Sequence, residues 1–331
     1  MKKPVCLFLS LLLLCSAFCF SAFAEEEIGT SLNYEIQEDN TAIITFFDSL
    51  NSEFVIPSEI DGHTVTAIGK KAFRESHNLA KVTIPDTVTT ICDQAFDRCG
   101  KLTTVNLGSG VKSIGYKAFA ECKVLYKINF PEGLNTIGNN AFVRCQGLES
   151  IVLPASLTSI GNNAFSDCVR LKSVTFGNAQ LSIGELAFGW CLKLQSVTLG
   201  DKVQSIGDRA FYACDALRSF TIENPECVIY NNSETIPSDS TINGYRNSTA
   251  KAYADKYEKT FVALDPLKLG DVDMDSNITV LDATAIQKHL ASIVTLTSDQ
   301  LSVSDADKDG ELTVIDATKI QQFVAELIEE L

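Results

Sequence analysis

The sequence predicts an α/β repeat solenoid that is followed by a small all-α module. The first of three observations behind this prediction is a unit of about 23 residues that recurs through the middle of the chain. The second is a pair of matching acidic segments near the C-terminus, Asp271–Asp282 and Asp305–Asp316. The third is an apolar N-terminal stretch that precedes both regions. Together they divide the chain into a leader, a long repeat region and a short helical region.

The N-terminus has the pattern of a secretory signal peptide. Lysines at positions 2 and 3 precede an almost wholly apolar stretch, Val5–Phe20, and the small-residue segment Ala22-Phe23-Ala24 follows it. A basic start, a short apolar run and small residues at a cleavage site are typical of a signal peptide, and the run is too short to favour a membrane span. We therefore predict a signal peptide at residues 1–24, a secreted mature chain and no membrane insertion.

The charge of the chain narrows the choice of partners. It has 42 acidic and 27 basic side chains, which gives a formal net charge of -15. An acidic protein is repelled by polyanions, so the composition argues against nucleic acid or anionic lipid as a partner. Part of the acidity is concentrated after Gly270, which indicates metal ligands there.

Aromatic and sulfur-bearing side chains mark the repeat. A phenylalanine and a cysteine each recur at a fixed interval, as from Phe73 to Phe96 and from Cys99 to Cys122. A fixed period over consecutive units is the signature of a solenoid, in which each unit packs its apolar residues on the equivalent residues of its neighbours. The phenylalanines are Phe73, Phe96, Phe119, Phe142, Phe165, Phe188 and Phe211, and the cysteines are Cys99, Cys122, Cys145, Cys168, Cys191 and Cys214.

Each unit contains two short elements. The pattern L-x-x-V-x-L/I/F alternates, as at Leu148, Ile151 and Leu153, and predicts a strand. The pattern Ala-Phe-x-x-Cys follows a glycine and predicts a short helix or turn. The stacked strands would form one parallel sheet along a side of the solenoid, with neighbouring strands about 4.8 Å apart.

The recurring cysteines fit a buried column of small apolar side chains. Ser76 occupies this position in the first unit, which agrees with a site that needs only a small residue. Disulfides between neighbours remain an alternative, whereas a metal site is disfavoured because no histidine recurs beside the cysteines. We predict that Cys92 and Cys227, which lie outside the column, are unpaired.

These repeats resemble the leucine-rich repeats of the BspA type, which are common in secreted and surface proteins of bacteria. The resemblance implies repeats at residues 65–223 in seven units, an N-terminal cap at residues 25–64 and a C-terminal cap with a linker at residues 224–264. Within the caps it implies a hairpin from Asn33 to Phe47, a strand at Thr241 to Gly244 and a helix from Ser248. Caps are expected physically, since the terminal repeats would otherwise expose their core.

The outward positions of the predicted strands form a polar face. They contain no Trp, Tyr or Arg, so they lack the usual anchors of strong protein interfaces and an aromatic platform for stacking sugars. Trp190 beside Tyr212 is either a contact spot or an ordinary surface pair. We predict a binding surface for an unknown protein or glycan ligand. The outward positions are Lys81, Thr83, Thr104, Asn106, Lys127, Asn129, Ser150, Val152, Ser173, Thr175, Ser196, Thr198, Ser219 and Thr221.

Catalytic motifs are missing from the sequence. The chain has three histidines, His63, His77 and His289, and none lies near a credible Ser or Cys nucleophile motif. The carboxylates of the repeats stand at variable positions, which suggests no acid/base pair. We therefore predict that the protein is not an enzyme.

Two twelve-residue loops near the C-terminus have the ligand spacing of EF-hand-like calcium sites. Each places oxygen donors at positions 1, 3, 5, 7, 9 and 12, a set that suits a hard cation such as Ca²⁺ better than Mg²⁺. Position 7 offers its backbone carbonyl, and position 6 is Gly310 in loop two but Ser276 in loop one, which indicates strain or weaker affinity there. We predict two Ca²⁺ ions. The donors are Asp271, Asp273, Asp275, Asn277, Thr279 and Asp282 in loop one, and Asp305, Asp307, Asp309, Glu311, Thr313 and Asp316 in loop two.

A helix is predicted after each loop, at Asp282 to Ser292 and Asp316 to Glu329, and none before loop one. A duplicated loop with only an exiting helix resembles a type I dockerin, which here covers residues 265–331. The resemblance implies calcium-dependent binding to a cohesin module of a scaffolding protein, with either half able to dock. The positions implied for recognition are Val280, Leu281, Val314 and Ile315, with help from Gln287, Lys288, Gln321 and Gln322.

The sequence thus predicts a secreted, non-catalytic interaction protein of the cell-surface cellulosome. It would dock onto a cohesin-bearing scaffold and present its repeat surface to a ligand. One alternative is a carbohydrate-binding or adhesive module. A polysaccharide-degrading hydrolase is disfavoured, because the repeats, caps and dockerin leave no stretch large enough for a catalytic domain.

Overall fold

Residues 30–331 are described by a computed structural model, in which the chain divides between Thr241 and Ile242 into two units. The first unit contains the repeats, and the second contains all four helices of the described residues. The signal peptide predicted at residues 1–24 lies outside the described residues.

The first unit begins with an antiparallel hairpin of β1 (Thr30–Ile36) and β2 (Ala42–Ser49). The hairpin expected from Asn33 to Phe47 is therefore present and is longer at both ends. It is followed by β3 (Glu53–Val55), β4 (Glu59–Ile60) and β5 (His63–Ile68). Strand β2 pairs in parallel with β5, so the hairpin covers the first turn of the solenoid.

Each repeat contributes two strands, which we call the face strand and the back strand. The face strands are β6 (Lys81–Thr83), β8 (Thr104–Asn106), β10 (Lys127–Asn129), β12 (Ser150–Val152), β14 (Ser173–Thr175), β16 (Ser196–Leu199) and β18 (Ser219–Ile222). The back strands are β7 (Thr90–Ile91), β9 (Ser113–Ile114), β11 (Thr136–Ile137), β13 (Ser159–Ile160), β15 (Ser182–Ile183), β17 (Ser205–Ile206) and β19 (Val228–Ile229).

The back strands correct the prediction of one parallel sheet. They pair in parallel at the spacing of the repeat, as Thr136 does with Ser159, and form a second ladder that continues the sheet of the cap. Each back strand has only two residues, one of them a buried isoleucine in most repeats, so it is too short to show an alternating pattern in the sequence.

The face strands form two sheets instead of one. In the first sheet the order is β3-β6-β8-β10, and in the second β12, β14, β16 and β18 are consecutive. Just before most face strands, a backbone N–H donates a hydrogen bond to the equivalent carbonyl of the preceding repeat. Examples are Tyr126 N to Thr103 O (3.1 Å) and Lys172 N to Glu149 O (2.8 Å). Among the described residues no such bond joins Glu149 N to Tyr126 O. We call the gap between β10 and β12 the sheet break.

The Ala-Phe-x-x-Cys segments are tight turns, which was one of the two forms predicted for them. Phe96 N donates to Ala118 O of the next repeat (2.7 Å), whereas Cys99 N bonds Phe96 O within the turn (3.3 Å). Two residues of each turn have positive φ, such as Gln94 (59°) and Arg98 (60°). A right-handed helix cannot include that conformation, so the chain crosses to the next repeat instead of continuing as a helix.

The recurring phenylalanines form a continuous stack through the first unit. The seven rings from Phe73 to Phe211 are fully buried, with neighbouring centroids between 4.8 Å (Phe73–Phe96) and 5.3 Å (Phe188–Phe211) apart. The rings of Phe96 and Phe119 are parallel, with an interplanar angle of 0°. Each phenylalanine thus covers the ring of the previous repeat, which ties the stability of one repeat to its neighbours.

The cysteine column is buried and its members are free thiols. Each thiol donates to the carbonyl oxygen of the phenylalanine 26 residues earlier, as Cys145 does to Phe119 O at 3.1 Å. Cysteine therefore suits this position because its thiol is a hydrogen-bond donor as well as a small group. Serine, which occupies the equivalent position at Ser76, also carries a donor in its hydroxyl. Burial raises the pKa of the Cys145 thiol well above its usual value and that of Cys227 to about 12.

Strand β20 (Thr241–Gly244) begins at the last residue of the first unit and continues into the second, where β21 (Phe261–Ala263) pairs with it. Helix α1 (Thr249–Lys256) lies between these two strands in the sequence and is capped by the Ser248 side chain. The expected strand and helix of the C-terminal cap are thus present. The remaining helices are α2 (Val280–Leu290), α3 (Ser298–Ser304) and α4 (Val314–Val324).

Helices α2 and α4 begin two residues earlier than predicted, because Thr279 and Thr313 cap their N-termini, and both helices also end earlier than predicted. Helix α3 was not predicted, although Thr297 and Gln300 form the capping box that marks its start. The core between the helices is made of Val272, Ala283, Ile286, Leu296, Ala306, Ala317 and Ile320.

Replacement of one ring in the phenylalanine stack should weaken the whole first unit. We expect Phe142→Ala to lower the free energy of unfolding by about 3–5 kcal/mol, because it leaves a cavity between two stacked rings. Thermal unfolding followed by circular dichroism measures the change. The control is Val152→Ala, whose side chain is 66% exposed. Equal loss of stability in the two variants would contradict the packing role of the stack.

The thiols should differ sharply in reactivity. Cys92 is half-buried, whereas the cysteines of the column are buried. We expect a maleimide reagent to modify Cys92 first in the folded protein, and the column only after denaturation, because burial keeps the column thiols out of reach of the reagent. Mass spectrometry of the labelled peptides measures this order. Rapid native labelling of Cys145 would contradict it.

Candidate metal and partner-binding site

The aspartates at the first three odd positions of each loop come together in the structure. In loop one, oxygen atoms of Asp271, Asp273 and Asp275 all lie within 4.8 Å of one another, and loop two brings together Asp305, Asp307 and Asp309 in the same way. Backbone bonds within the loops hold this arrangement, such as Asn277 N to Asp275 Oδ1 (2.8 Å). Six of the twelve predicted donors thus form two carboxylate clusters.

Asp282, at position 12 of loop one, ties the loop to the helix that follows. Its Oδ1 accepts from Val272 N (2.7 Å) and Asp273 N (2.9 Å), and its Oδ2 accepts from Thr279 N (2.7 Å). The side chain is fully buried and forms the capping box of α2. These bonds use both lone pairs of Oδ1, so the remaining acceptor capacity of the carboxylate lies on Oδ2, which is also within 3.4 Å of the Thr279 hydroxyl.

Loop two has the same closure. Asp316 Oδ1 accepts from Asp307 N (3.2 Å), and its Oδ2 accepts from Thr313 N (2.8 Å). The hydroxyl of Thr313 accepts from Ile315 N (3.1 Å), as that of Thr279 accepts from Leu281 N. The predicted donors at positions 9 and 12 therefore stand at the N-terminus of each helix, where they also cap it.

The clusters have the electrostatics of a cation site. Asp271 Oδ1 is buried and has no hydrogen-bond partner among the described residues, an arrangement that is costly unless a cation or another donor satisfies it. Burial, with the charges of Asp282 and Asp275, raises the pKa of Asp273 to about 6. Burial also raises the pKa of Asp271. These donors fit a divalent cation that prefers oxygen, because its charge would offset both the desolvation and the repulsion.

Position 6 differs between the loops in residue but not in conformation. Ser276 has a φ of 71° and Gly310 a φ of 86°. A β-carbon at Gly310 would meet nothing within 4 Å, so the requirement there comes from the backbone angle alone. The strain expected at Ser276 is thus present, since a serine holds a conformation that glycine adopts without cost.

The positions implied for partner recognition are all exposed. Val280 and Leu281 open α2, and their side chains are 54% and 60% exposed. Gln287 and Lys288 follow seven residues later, two helical turns along the same side. Helix α4 repeats the arrangement with exposed Val314, Ile315, Gln321 and Gln322.

Two further exposed apolar residues were missed. Ile293 is 70% exposed just after α2, and Leu327 is 74% exposed just after α4. Ile293 and Leu327 are separated by the same number of residues as Asp271 and Asp305, so they occupy equivalent positions in the two halves. The duplication in the sequence could therefore have identified them. Each half thus exposes apolar side chains at both ends of its helix.

The outward positions predicted on the repeats are solvent-accessible, as expected. Ser173 and Thr175 of β14 are exposed, while Val174 between them is buried. The outward positions carry no aromatic group, as expected, but Tyr126 directly precedes β10 and is 59% exposed. It lies one residue outside the alternating pattern and was therefore overlooked. Trp190 packs against Tyr212 at right angles, with ring centroids 5.2 Å apart.

No helix in residues 30–331 is both long and apolar enough to cross a membrane. The chain is similar over residues 45–172 and 158–236 to the BspA type leucine rich repeat region, in six copies. Residues 269–325 match the dockerin type I domain. No curated protein matches the chain.

Solved structures of repeat proteins are similar to this chain. A leucine rich repeat protein of T. pallidum is 32% identical, with a TM-score of 0.53 over 56% of this chain and 87% of that chain. A leucine rich cell surface protein of Faecalibacterium prausnitzii is 20% identical, with a TM-score of 0.32 over 76% of this chain and 96% of that chain. The chain therefore belongs to the BspA-type leucine-rich-repeat family and carries a type I dockerin domain after its repeats.

Proposed function

We propose that the protein is a secreted, non-catalytic subunit that docks through its dockerin onto a cohesin-bearing scaffold and presents its repeats to a ligand. One observation carries the proposal: two acidic loops each close on a helix that exposes a pair of aliphatic side chains, as in α2 with Val280 and Leu281. The domain types support it, because leucine-rich repeats and dockerins are non-catalytic modules.

Calcium is the cofactor that we propose for the dockerin. Dockerin domains bind calcium in general, and the two carboxylate clusters favour two ions. Each ion would supply positive charge to one loop and hold it folded. The ligands would be the donors at positions 1, 3, 5, 7, 9 and 12, of which Asp282 and Asp316 also cap the helices.

The apolar ends of α2 and α4 form the proposed docking surface. Exposed aliphatic pairs are costly in water, and burial against a cohesin removes them from it. The pairs stand at the helix N-termini, whose position each loop sets through Asp282 or Asp316. Calcium would thus control docking by ordering the loops, without any direct contact between the calcium-binding residues and the cohesin.

Secretion and membership of a cell-surface cellulosome complete the proposal. A signal peptide at residues 1–24 would direct export, and a dockerin at residues 265–331 would attach the protein to the scaffold. The boundaries proposed for the intervening parts are residues 25–64 for the N-terminal cap, 65–223 for the repeats and 224–264 for the C-terminal cap and linker.

Docking should require calcium and one intact apolar pair. We expect the full chain to bind a cohesin in calcium and to lose binding in excess chelator. Because the halves are near-copies, Val280→Asp with Leu281→Asp should leave binding through α4, and only the further changes Val314→Asp and Ile315→Asp should abolish it. Calorimetric titration against a panel of cohesins measures each case.

The control for that titration is a matched pair of acidic changes away from the pairs, Thr198→Asp with Thr221→Asp on the repeat face. This variant should bind cohesin as the unaltered chain does. Binding that persists in chelator, or in the variant with all four aliphatic residues changed, would contradict the proposed docking mode.

The residue at position 6 should tune each calcium site. We expect Ser276→Gly to tighten binding in loop one about fivefold, because it removes about 1 kcal/mol of backbone strain, and Gly310→Ser to weaken loop two by a similar factor. Calcium titration of the two variants measures the shift. Opposite signs, or no change in either variant, would contradict the role assigned to the left-handed backbone.

A further inference from the structure

A cleft lies beside the sheet break on the first unit. It has a volume of about 540 Å³ and is lined by Lys123, Val124, Tyr126, Gln146, Gly147, Glu149 and Arg170. These residues come from three successive repeats, so the cleft runs along the solenoid at the edge of the face strands. The break places it where the backbone of β10 and that of β12 do not pair.

The cleft and its edge are locally basic although the protein is acidic overall. Lys123 and Lys127 are exposed and form no ion pair among the described residues. The carboxylate of Glu149 is already matched by Lys172 (2.8 Å) and by a contact with Arg170. Other repeats carry exposed cations at the position equivalent to Val124, namely Lys101 and Lys193. The local charge therefore suits an extended anion.

The aromatic and polar groups of the cleft indicate the kind of anion. Tyr126 exposes an amphipathic ring beside Val124, which is 44% exposed. The adjoining face strands offer hydroxyl and amide groups, such as Asn129 and Ser150, and one exposed apolar side chain, Val152. An exposed ring, hydroxyl-binding groups and cations in one open groove suit a sugar chain that carries carboxylates better than an acidic peptide, which usually needs an apolar core to its interface.

We infer that this cleft binds an acidic polysaccharide, with Tyr126 against a sugar ring and with Lys123 and Lys127 on the carboxylates. The inference rests on the part of the proposed function that gives the repeats a ligand, and it is independent of docking.

The test is calorimetric titration of the full chain with polygalacturonate oligomers, with a neutral glucan of the same length and with polyglutamate. Each titration is made with calcium and with a chelator, so that bridging by calcium is recognised. The variants are Lys123→Ala with Lys127→Ala, and Tyr126→Ala. Matched controls are Lys112→Ala with Lys202→Ala, which removes the same charge from exposed lysines elsewhere, and Tyr116→Ala, an exposed tyrosine outside the cleft.

We expect polygalacturonate to bind both with calcium and with a chelator. Each cleft variant should weaken its affinity about tenfold, because it loses either two exposed ion pairs or one ring contact. The controls should change it little. No binding, binding only with calcium, equal binding of the neutral glucan or of polyglutamate, or equal effects of cleft and control variants would each overturn the inference. Cohesin binding measured on the same samples shows whether docking stands when this inference fails.

Discussion

The hydrogen bonds between successive repeats are the constraint on which the first unit depends. Phe96 N bonds Ala118 O, and the same bond recurs along the unit, so every repeat must keep the same length. An inserted residue would misplace the phenylalanine ring, the thiol and both strands of that repeat together. This coupling explains why side chains inside the solenoid are nearly invariant from repeat to repeat while the outward positions differ.

The second unit depends on a different constraint, the closure of each loop by the last aspartate. Asp282 and Asp316 are buried carboxylates that bond the start of the loop and the start of the helix. One side chain therefore links the carboxylate cluster to the exposed aliphatic pair. In the proposed function this link makes a binding surface respond to an ion, and the repeats remain free to bind another ligand.

The sequence predicted most of the fold because its signals were periodic. The phenylalanine and cysteine columns and both acidic loops were found by spacing alone. The back strands were missed because two residues, such as Thr136–Ile137, carry no alternation. The sheet break was missed because the repeat length does not change there, and Tyr126 was overlooked because it lies one residue outside the alternating pattern of its strand. Positive φ at ordinary residues such as Arg98 has no sequence signature either.

The most direct test of this account is the number of calcium ions bound by the full chain, measured by equilibrium dialysis. The account predicts two ions, one fewer in Asp271→Asn and none in the double variant with Asp305→Asn, because each change removes a carboxylate that only its own loop contains. No saturable uptake, or uptake that both substitutions leave unchanged, would contradict the assignment of the acidic loops as calcium sites.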